Sequence, residues 1–285
     1  MNNPIEPKYK VTFSLVVYKQ PIEELRTVVK SLLLYPPSKK IFVIDNSPTE
    51  VARSLTSLAD CITYRHIPEN IGFGRAHNLA IKEALNLGCQ YHFVVNPDIF
   101  FDTDIITPMV AYMDAQPEIG QMMPKILYPD GSTQFLPKLM PSPKALIQRK
   151  LKRFLPNQHA KWMQRFEMRG MTDEQVYEVG HVSGCFSVMT RQALEKVGLY
   201  DDQFFMYFED TDMTRRINKH FRTVYFPRVA VYHGYGNGAS HSSKLFFIFL
   251  SSLVKFFNKW GWFFDSERSR CNRQFLSQLQ ARNKA

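Results

Sequence analysis

The sequence predicts an α/β fold in which a mainly parallel sheet is flanked by helices on both faces. Three observations carry this expectation. FSLVVY (13–18) and KIFVIDN (40–46) are short apolar runs rich in β-branched and aromatic residues, the pattern of buried strands. Between them a helical pattern runs from about Ile22 to Leu34 and stops at Pro36-Pro37. The alternation then repeats, with a helix at 75–87, a strand at HFVVN (92–96) and a helix at 103–115, as a parallel, doubly covered sheet requires.

In such a sheet ligands belong at the carboxyl ends of strands. Asp45 lies just past one such end and Asp98 past another. In FVVNPDIFF (93–101), Val94 and Val95 favour a strand, Pro97 cannot donate to a ladder, and Pro after Asn favours a turn. Asp98 therefore stands at the mouth of the sheet, where it either serves chemistry or caps a short helix beginning near Thr103. Between the two rims lies NIGFGRAHNLAI (70–81). Gly72 and Gly74 permit a tight turn before a helix, and exposed N–H groups there, with Arg75, suit a phosphate. The spacing is not GxGxxG and the turn does not follow the first strand, which argues against a dinucleotide site. The Pro- and Lys-rich stretch 129–160 reads as a mobile loop.

At 285 residues the chain can bury one large core or two small ones, and 45% hydrophobic content with 14% aromatics excludes a disordered protein. Cys61, Cys89, Cys185 and Cys271 form no CxxC pair, so neither a disulfide framework nor a zinc knuckle is indicated, and a reducing compartment is the simpler expectation. The N-terminal MNNPIEPKYK lacks the apolar stretch of a signal peptide. The net charge of +10 is local: residues 138–170 hold nine Lys or Arg and one acid, and residues 241–285 hold eight against two. Patches of that kind fit a polyanion or an anionic membrane surface.

FFMYFEDTDMTRR (204–216) runs from aromatics into Glu209, Asp210 and Asp212, then Arg215 and Arg216 on a helix. Taken alone, Asp210 or Thr211 is an N-cap and Asp212 a favourable first-turn charge. Gly184 in SGCFSVM allows either a close approach or simple strand packing, and His233 in VAVYHGYGNG follows a further strand. KLFFIFLSSLVKFFNKWGWFF (244–264) is not a membrane span. Its uninterrupted apolar part is about half the roughly 20 residues needed, and Lys255 and Lys259 would each cost roughly 2.5 to 3.5 kcal/mol near the centre. Aromatics interleaved with Lys, followed by Arg268, Arg270 and Arg273, suit a helix lying in a membrane interface; the alternative is a helix packed on the core or in a homodimer. The chain thus divides into a domain at 1–240 and a basic, aromatic helical extension at 241–285.

VIDNS, NIGFGRAHN, VNPD and GCFSVMTRQALEKVGLYDDQFFMYFEDTDMTRR together resemble, in the same order, the blocks of family 2 glycosyltransferases of the GT-A fold, especially bacterial rhamnosyltransferases acting on cell-surface polysaccharides. The resemblance runs from about residue 11 to 240. It implies an inverting transfer from a nucleotide-sugar donor held by Val17, Tyr18, Asp45, Asn70, Gly72, Gly74, Arg75, Asn78, Asn96, Gly184, Glu209 and Arg215. Within that set Asp45 is near the base and the 72–78 loop near the ribose and diphosphate. It also implies that Asp98 holds a divalent cation, Mg²⁺ or Mn²⁺, with His233 close to the metal or diphosphate. Asp210, the second acid of Glu-Asp, is then the general base that takes the acceptor hydroxyl proton.

Two departures stand out: Asn96-Pro97-Asp98 occupies the place of Asp-x-Asp, and the glycine that commonly ends the helix after Glu-Asp is replaced near Lys219-His220. By the same resemblance the donor is dTDP-L-rhamnose and the acceptor a lipid-linked glycan of O-antigen or capsule type, at the cytoplasmic face of the membrane. The alternatives are a UDP- or GDP-sugar donor, or a basic nucleic-acid-binding protein. The last is disfavoured because Asp45, Asp98 and Asp210 would repel phosphates.

Overall fold

A computed structural model describes residues 9–150, 156–234 and 243–280 of the chain. The first eight residues, read above for an export signal, lie outside them, as do 151–155 of the Pro- and Lys-rich stretch, 235–238 of VAVYHGYGNG, and 241–242 and 281–285 of the C-terminal extension.

The predicted alternation is present. β1 (Val11–Val17), α1 (Ile22–Leu33), β2 (Lys39–Asp45), β3 (Ile62–His66), α2 (Phe73–Asn86) and β4 (Tyr91–Val95) build a parallel half-sheet in the order β3-β2-β1-β4. After the two-residue β5 (Ile99–Phe100), α3 (Ile106–Asp114) and β6 (Ile119–Leu127), the parallel rule lapses. β8 (Phe186–Thr190) inserts antiparallel to both β4 and β6, and β9 (Arg222–His233) runs parallel to β6 but antiparallel to β5 and to β7 (Tyr177–Glu178). The sheet is therefore parallel in its first half and mixed in its second. Short apolar runs state that a strand exists without stating its direction.

Two helical layers cover the sheet. The i, i+3, i+4, i+7 stripe Leu25, Val28, Val29 and Leu32 of α1 is buried with Phe13, Leu15 and Phe93, and Met109 and Met113 of α3 join the same core. On the opposite face Ala76, Ala80 and Ala84 of α2 meet Phe42 and Ile44. Beside them α6 (Arg191–Val197) and α7 (Glu209–Asn218) pack on Val94 and Met189.

The stretch read as a mobile loop is substantially helical. α4 (Pro143–Lys150) and α5 (Pro156–Phe166) each begin at a proline, where the missing N–H costs no helical hydrogen bond, so prolines that looked like breakers are helix starts. The C-terminal α8 (Ser243–Trp260) and α9 (Ser266–Gln280) close the molecule. Phe256 and Phe257 of α8 are fully buried against Phe204 and Phe208, and Cys271 and Phe275 of α9 enter the main core. Half of the aromatic stripe of 244–264 is thus core, while Phe246, Phe247 and Leu250 remain exposed. No helix among the described residues is long and apolar enough to cross a membrane.

Candidate active site

The site is built where β4, β8 and β9 end. The turn after β4 is tied to β8 because the Asn96 backbone N–H donates to the Cys185 carbonyl at 2.8 Å. One residue earlier the Gly184 N–H donates to Asp210 Oδ2 at 3.1 Å. The Gly184-Cys185 dipeptide therefore joins the Asp98 turn to the Asp210 turn. Cys185 lies between the two acids: burial first, and then the charges of Asp98 and Asp210, push its thiol up to about 12.

Asp98 does not cap the following helix. That role belongs to Asp104, which accepts from the backbone N–H groups of Ile106 and Thr107 at 3.0 Å. Asp98 instead faces His233 across 3.3 Å, with the pairing of Ile99 and His233 between β5 and β9 bringing the two together. Gln134 fixes the imidazole. Its Nε2 donates to the carbonyls of His233 and Leu127, which leaves Oε1 to accept from His233 Nδ1 at 3.0 Å. The Nδ1 hydrogen is thereby committed to Gln134, and Nε2 is the nitrogen turned toward the Asp98 carboxylate and Asn96 Nδ2. The 3.3 Å between this nitrogen and the Asp98 oxygen matches the roughly 3 Å that separates adjacent ligands of an octahedral ion with bonds of about 2.1 Å. The residues present therefore fit one hard divalent ion, which Asp98 and His233 Nε2 would hold. They do not form a protein cage: no cluster of three metal-binding side chains occurs among the described residues.

Asp210 is not the N-cap of α7. Phe208 holds that position, and both Tyr207 and Phe208 are in the left-handed region, at φ 71° and 66°. Two consecutive strained residues persist only where packing over-determines them. Here Tyr207 packs edge-on to Phe249, and Phe208 stacks against Phe249, Phe256 and Phe257, so α8 holds the turn that presents Asp210. The carboxylate opens on a cavity of about 200 Å³ that includes His181, Tyr207 and Phe249. His181 Nε2 is 3.8 Å from Asp210 Oδ2, and its Nδ1 is 3.0 Å from Thr211 Oγ1. The sequence reading missed His181; its place three residues before Gly184 in GHVSG is the only signal it offered.

Several expected donor contacts are corrected. Asp45 is fully buried and its oxygens accept from the N–H groups of Ser47, Val51 and Ala52 and the Tyr64 hydroxyl, so it shapes the loop after β2 instead of opening on the groove. Asn78 clasps the backbone N–H and C=O of Tyr200 and the Asp202 carboxylate. Arg215 is buried in a bidentate pair with Asp265 at 2.7 and 2.8 Å, its guanidinium 4.3 Å from the Trp260 ring, and Arg216 is held by Asp212 and two carbonyls. Neither arginine can reach a diphosphate from there. Glu209 is buried, and burial followed by the Asp210 charge drives its carboxyl well above the ordinary range.

Gly72, at φ 92°, sits where a Cβ would come within 2.4 Å of the Phe205 carbonyl, which already accepts from the Phe73 N–H. A Cβ on Gly74 would meet Tyr200 at 3.0 Å. Both glycines thus dock α2 onto the 200–209 segment, and the first helical N–H is not open to a phosphate. Val17 is buried at the end of β1, while Tyr18, Asn70 and Arg75 remain exposed at the same rim, with Asn70 Oδ1 accepting from the Gly72 N–H.

The sequence profile of Glycosyl transferase family 2 matches residues 14–198. Two curated relatives, the N-acetylglucosaminyl-diphospho-decaprenol L-rhamnosyltransferases of two Mycobacterium tuberculosis strains, CDC 1551 / Oshkosh and ATCC 25618 / H37Rv, are 28% identical over 174 residues. That match covers 58% of this chain and 56% of theirs, so the chain spans only about half the length of these relatives. Among solved structures, GalNAc-T7 with UDP, GalNAc and Mn²⁺ aligns over 88% of this chain and 48% of its own, with a TM-score of 0.63 at 15% identity. The mannosyltransferase PcManGT from Pyrobaculum calidifontis, with GDP-Man and Mn²⁺, aligns over 89% and 65%, with a TM-score of 0.60 at 15% identity. These likenesses carry the GT-A fold. The profile stops short of Asp210 and His233, whose placement rests on the geometry above. The chain belongs to glycosyl transferase family 2.

Proposed function

We propose that this protein is an inverting glycosyltransferase that moves L-rhamnose from dTDP-L-rhamnose onto a lipid-linked cell-surface glycan. The single observation that supports it best is the Gly184-Cys185 dipeptide, hydrogen-bonded through Gly184 to Asp210 and through Cys185 to Asn96 of the turn that carries Asp98. In this reading the exposed rim of Tyr18, Asn70 and Arg75 meets the nucleotide and diphosphate. Asp98 and His233 Nε2 hold the cation, which when bound neutralises charge on the departing diphosphate. Asp210, steadied by the Gly184 N–H, takes the proton of the acceptor hydroxyl as it attacks the anomeric carbon from the face opposite the leaving group. His181, beside Asp210, orients it. The aromatic wall of Tyr207 and Phe249 excludes water from the attacking position and so favours transfer over hydrolysis.

The activity for which the mycobacterial relatives are named supports rhamnose as the sugar and a diphospho-lipid glycan as the acceptor. The exposed face of α8 supports a peripheral seat on the cytoplasmic leaflet, with the extension 241–285 as the membrane-facing part. A screen of dTDP-, UDP- and GDP-sugars, scored by nucleoside diphosphate released in the presence of a polyprenyl-diphospho-N-acetylglucosamine acceptor, tests this reading. Turnover with dTDP-L-rhamnose above the others is the expected result, and turnover confined to a UDP- or GDP-sugar overturns the donor assignment.

A further inference from the structure

A groove of about 780 Å³ runs between α4, α5 and the α8–α9 corner, within the range of about 300–1,000 Å³ typical of small-molecule sites. Its lining includes the apolar Ile147, Trp162 and Phe263; Ile147 and Phe263 are 63% and 78% exposed. It also includes Lys144, Arg165 and Arg273, all exposed, and no acidic residue among the described residues lines the groove. No carboxylate among the described residues lies within ion-pair distance of these three cations. Such a surface leaves both positive charge and apolar area uncompensated, a pairing that suits a ligand with an anionic head and a hydrocarbon tail. Leu139 and Phe166 line both this groove and the cavity holding Asp210.

Building on the lipid-linked acceptor proposed above, we propose that this groove binds the prenyl diphosphate part of that acceptor. The diphosphate sits on Lys144, Arg165 and Arg273, the first isoprene units lie along Ile147, Trp162 and Phe263, and the attached sugar passes Leu139 and Phe166 to reach Asp210. Residues 138–170 supply much of the local positive charge, and this gives that charge a ligand.

Two of the three tryptophans, Trp162 and Trp262, line the groove, so its occupation is readable in the full-length protein by intrinsic fluorescence. Farnesyl diphosphate should quench saturably, and farnesol and inorganic pyrophosphate should each bind more weakly because each lacks one half of the ligand. Replacing Lys144, Arg165 and Arg273 together by Gln should raise the Kd for farnesyl diphosphate by about tenfold or more. Ile147→Ser with Phe263→Ser should raise it independently, and circular dichroism should show both variants folded. Unchanged affinity in the charge variant, or displacement of the probe by dTDP, overturns the assignment. Dihexanoyl-phosphatidylglycerol binding as tightly as farnesyl diphosphate also overturns it, in favour of a membrane headgroup site. Because the readout is binding, it succeeds or fails separately from the donor screen.

Discussion

The Gly184 amide donates to Asp210 Oδ2 at 3.1 Å, and a Cβ on Gly184 would lie 3.2 Å from the Phe73 ring and 3.4 Å from Asp210 Cβ. A Cβ there would press on the Phe73 ring and touch Asp210, so glycine gives the carboxylate room at the strand end. Asp210→Asn keeps the size but accepts no proton, so transfer should fall by about 10²-fold or more while donor binding is retained. Gly184→Ala should displace Asp210 without removing it and cost a smaller factor, about tenfold, or roughly 1.4 kcal/mol of barrier. Single-turnover rates with donor affinity measured in parallel check both. Near-native transfer by Asp210→Asn would move the base elsewhere, with His181 the next residue to examine.

The Gln134–His233–Asp98 chain makes a graded metal prediction. Asp98→Ala removes the one carboxylate of the pair and should abolish metal-dependent turnover with the fold intact. Gln134→Ala leaves both ligands in place but frees the ring to turn or change tautomer. It should therefore raise the Mg²⁺ or Mn²⁺ concentration needed for half-maximal activity by about 10- to 100-fold, the usual cost of losing a ligand's orienting partner. Activity of the native protein that survives EDTA, after its metal content has been shown to be nil, would sink the metal assignment.

The same chain shows what was legible in the sequence and what was not. Asp98 and Asp210 could be singled out because a carboxylate breaking an apolar strand, and an acidic pair after an aromatic run, are local anomalies. His233 was visible as a strand end. Gln134 was not, because its role depends on β6 and β9 lying side by side, a long-range pairing that no local pattern carries. Arg215 was misassigned for the same reason: its partners Asp265 and Glu267 lie on the α8–α9 corner, and nothing near 215 announces them. Asp45, Asn78 and Gly72 lie at the end of β2, within α2 and at its start. Their atoms are spent on building the loops, a distinction that depends on burial and hydrogen-bond partners. The half-buried α8 resisted assignment because an apolar stripe looks alike whether it meets a core or a lipid.

For the membrane the structure sharpens which residues matter. Phe256 and Phe257 are core, Lys259 is held by Asp201 and Asp212, and Arg268 is buried among carbonyls, so none of these can face a bilayer. Phe246, Phe247, Leu250 and Val254 form an exposed strip, continued by Phe264 beyond the end of the helix. Changing Phe246, Phe247 and Phe264 to Ser should abolish sedimentation with phosphatidylglycerol vesicles while thermal stability stays near native. Phe257→Ser should instead destabilise by roughly 3 to 5 kcal/mol and release the strained 207–208 turn. If the native protein ignores vesicles and the triple variant changes a dimer into a monomer, the strip is a contact between copies of the chain.

The last prediction concerns pH, where two sets of buried groups pull in opposite directions. Beneath the site a polar chain crosses the sheet: Thr12 Oγ1 to His92 Nδ1 at 2.8 Å, His92 Nε2 to Ser14 Oγ at 2.9 Å, and Ser14 Oγ to His77 Nδ1 at 2.7 Å. Burial lowers His92 to about 3 and holds His77 well below 6.5, where burial dominates and His92 adds to it. Both histidines stay neutral in the fold but take up protons in the unfolded chain below pH 6.5. Their contribution is present above that pH and is lost as pH falls, at up to two protons, or about 3 kcal/mol per pH unit. Glu209 works the other way. Its raised carboxyl keeps its proton in the fold after the unfolded chain has lost it, so its contribution is full below about pH 4.5 and declines as pH rises toward its folded value. Stability should therefore fall steeply as pH drops below 6.5, while the single-proton Glu209 contribution declines more gently as pH rises from about 4.5. Glu209→Gln, neutral at every pH, should remove the gentle decline and leave the steep one: the variant should match the native protein near pH 4.5 and exceed it by pH 7. Urea midpoints across pH 4.5 to 8 measure both curves, and a difference between them that does not change with pH would mean that Glu209 is ionised in the fold.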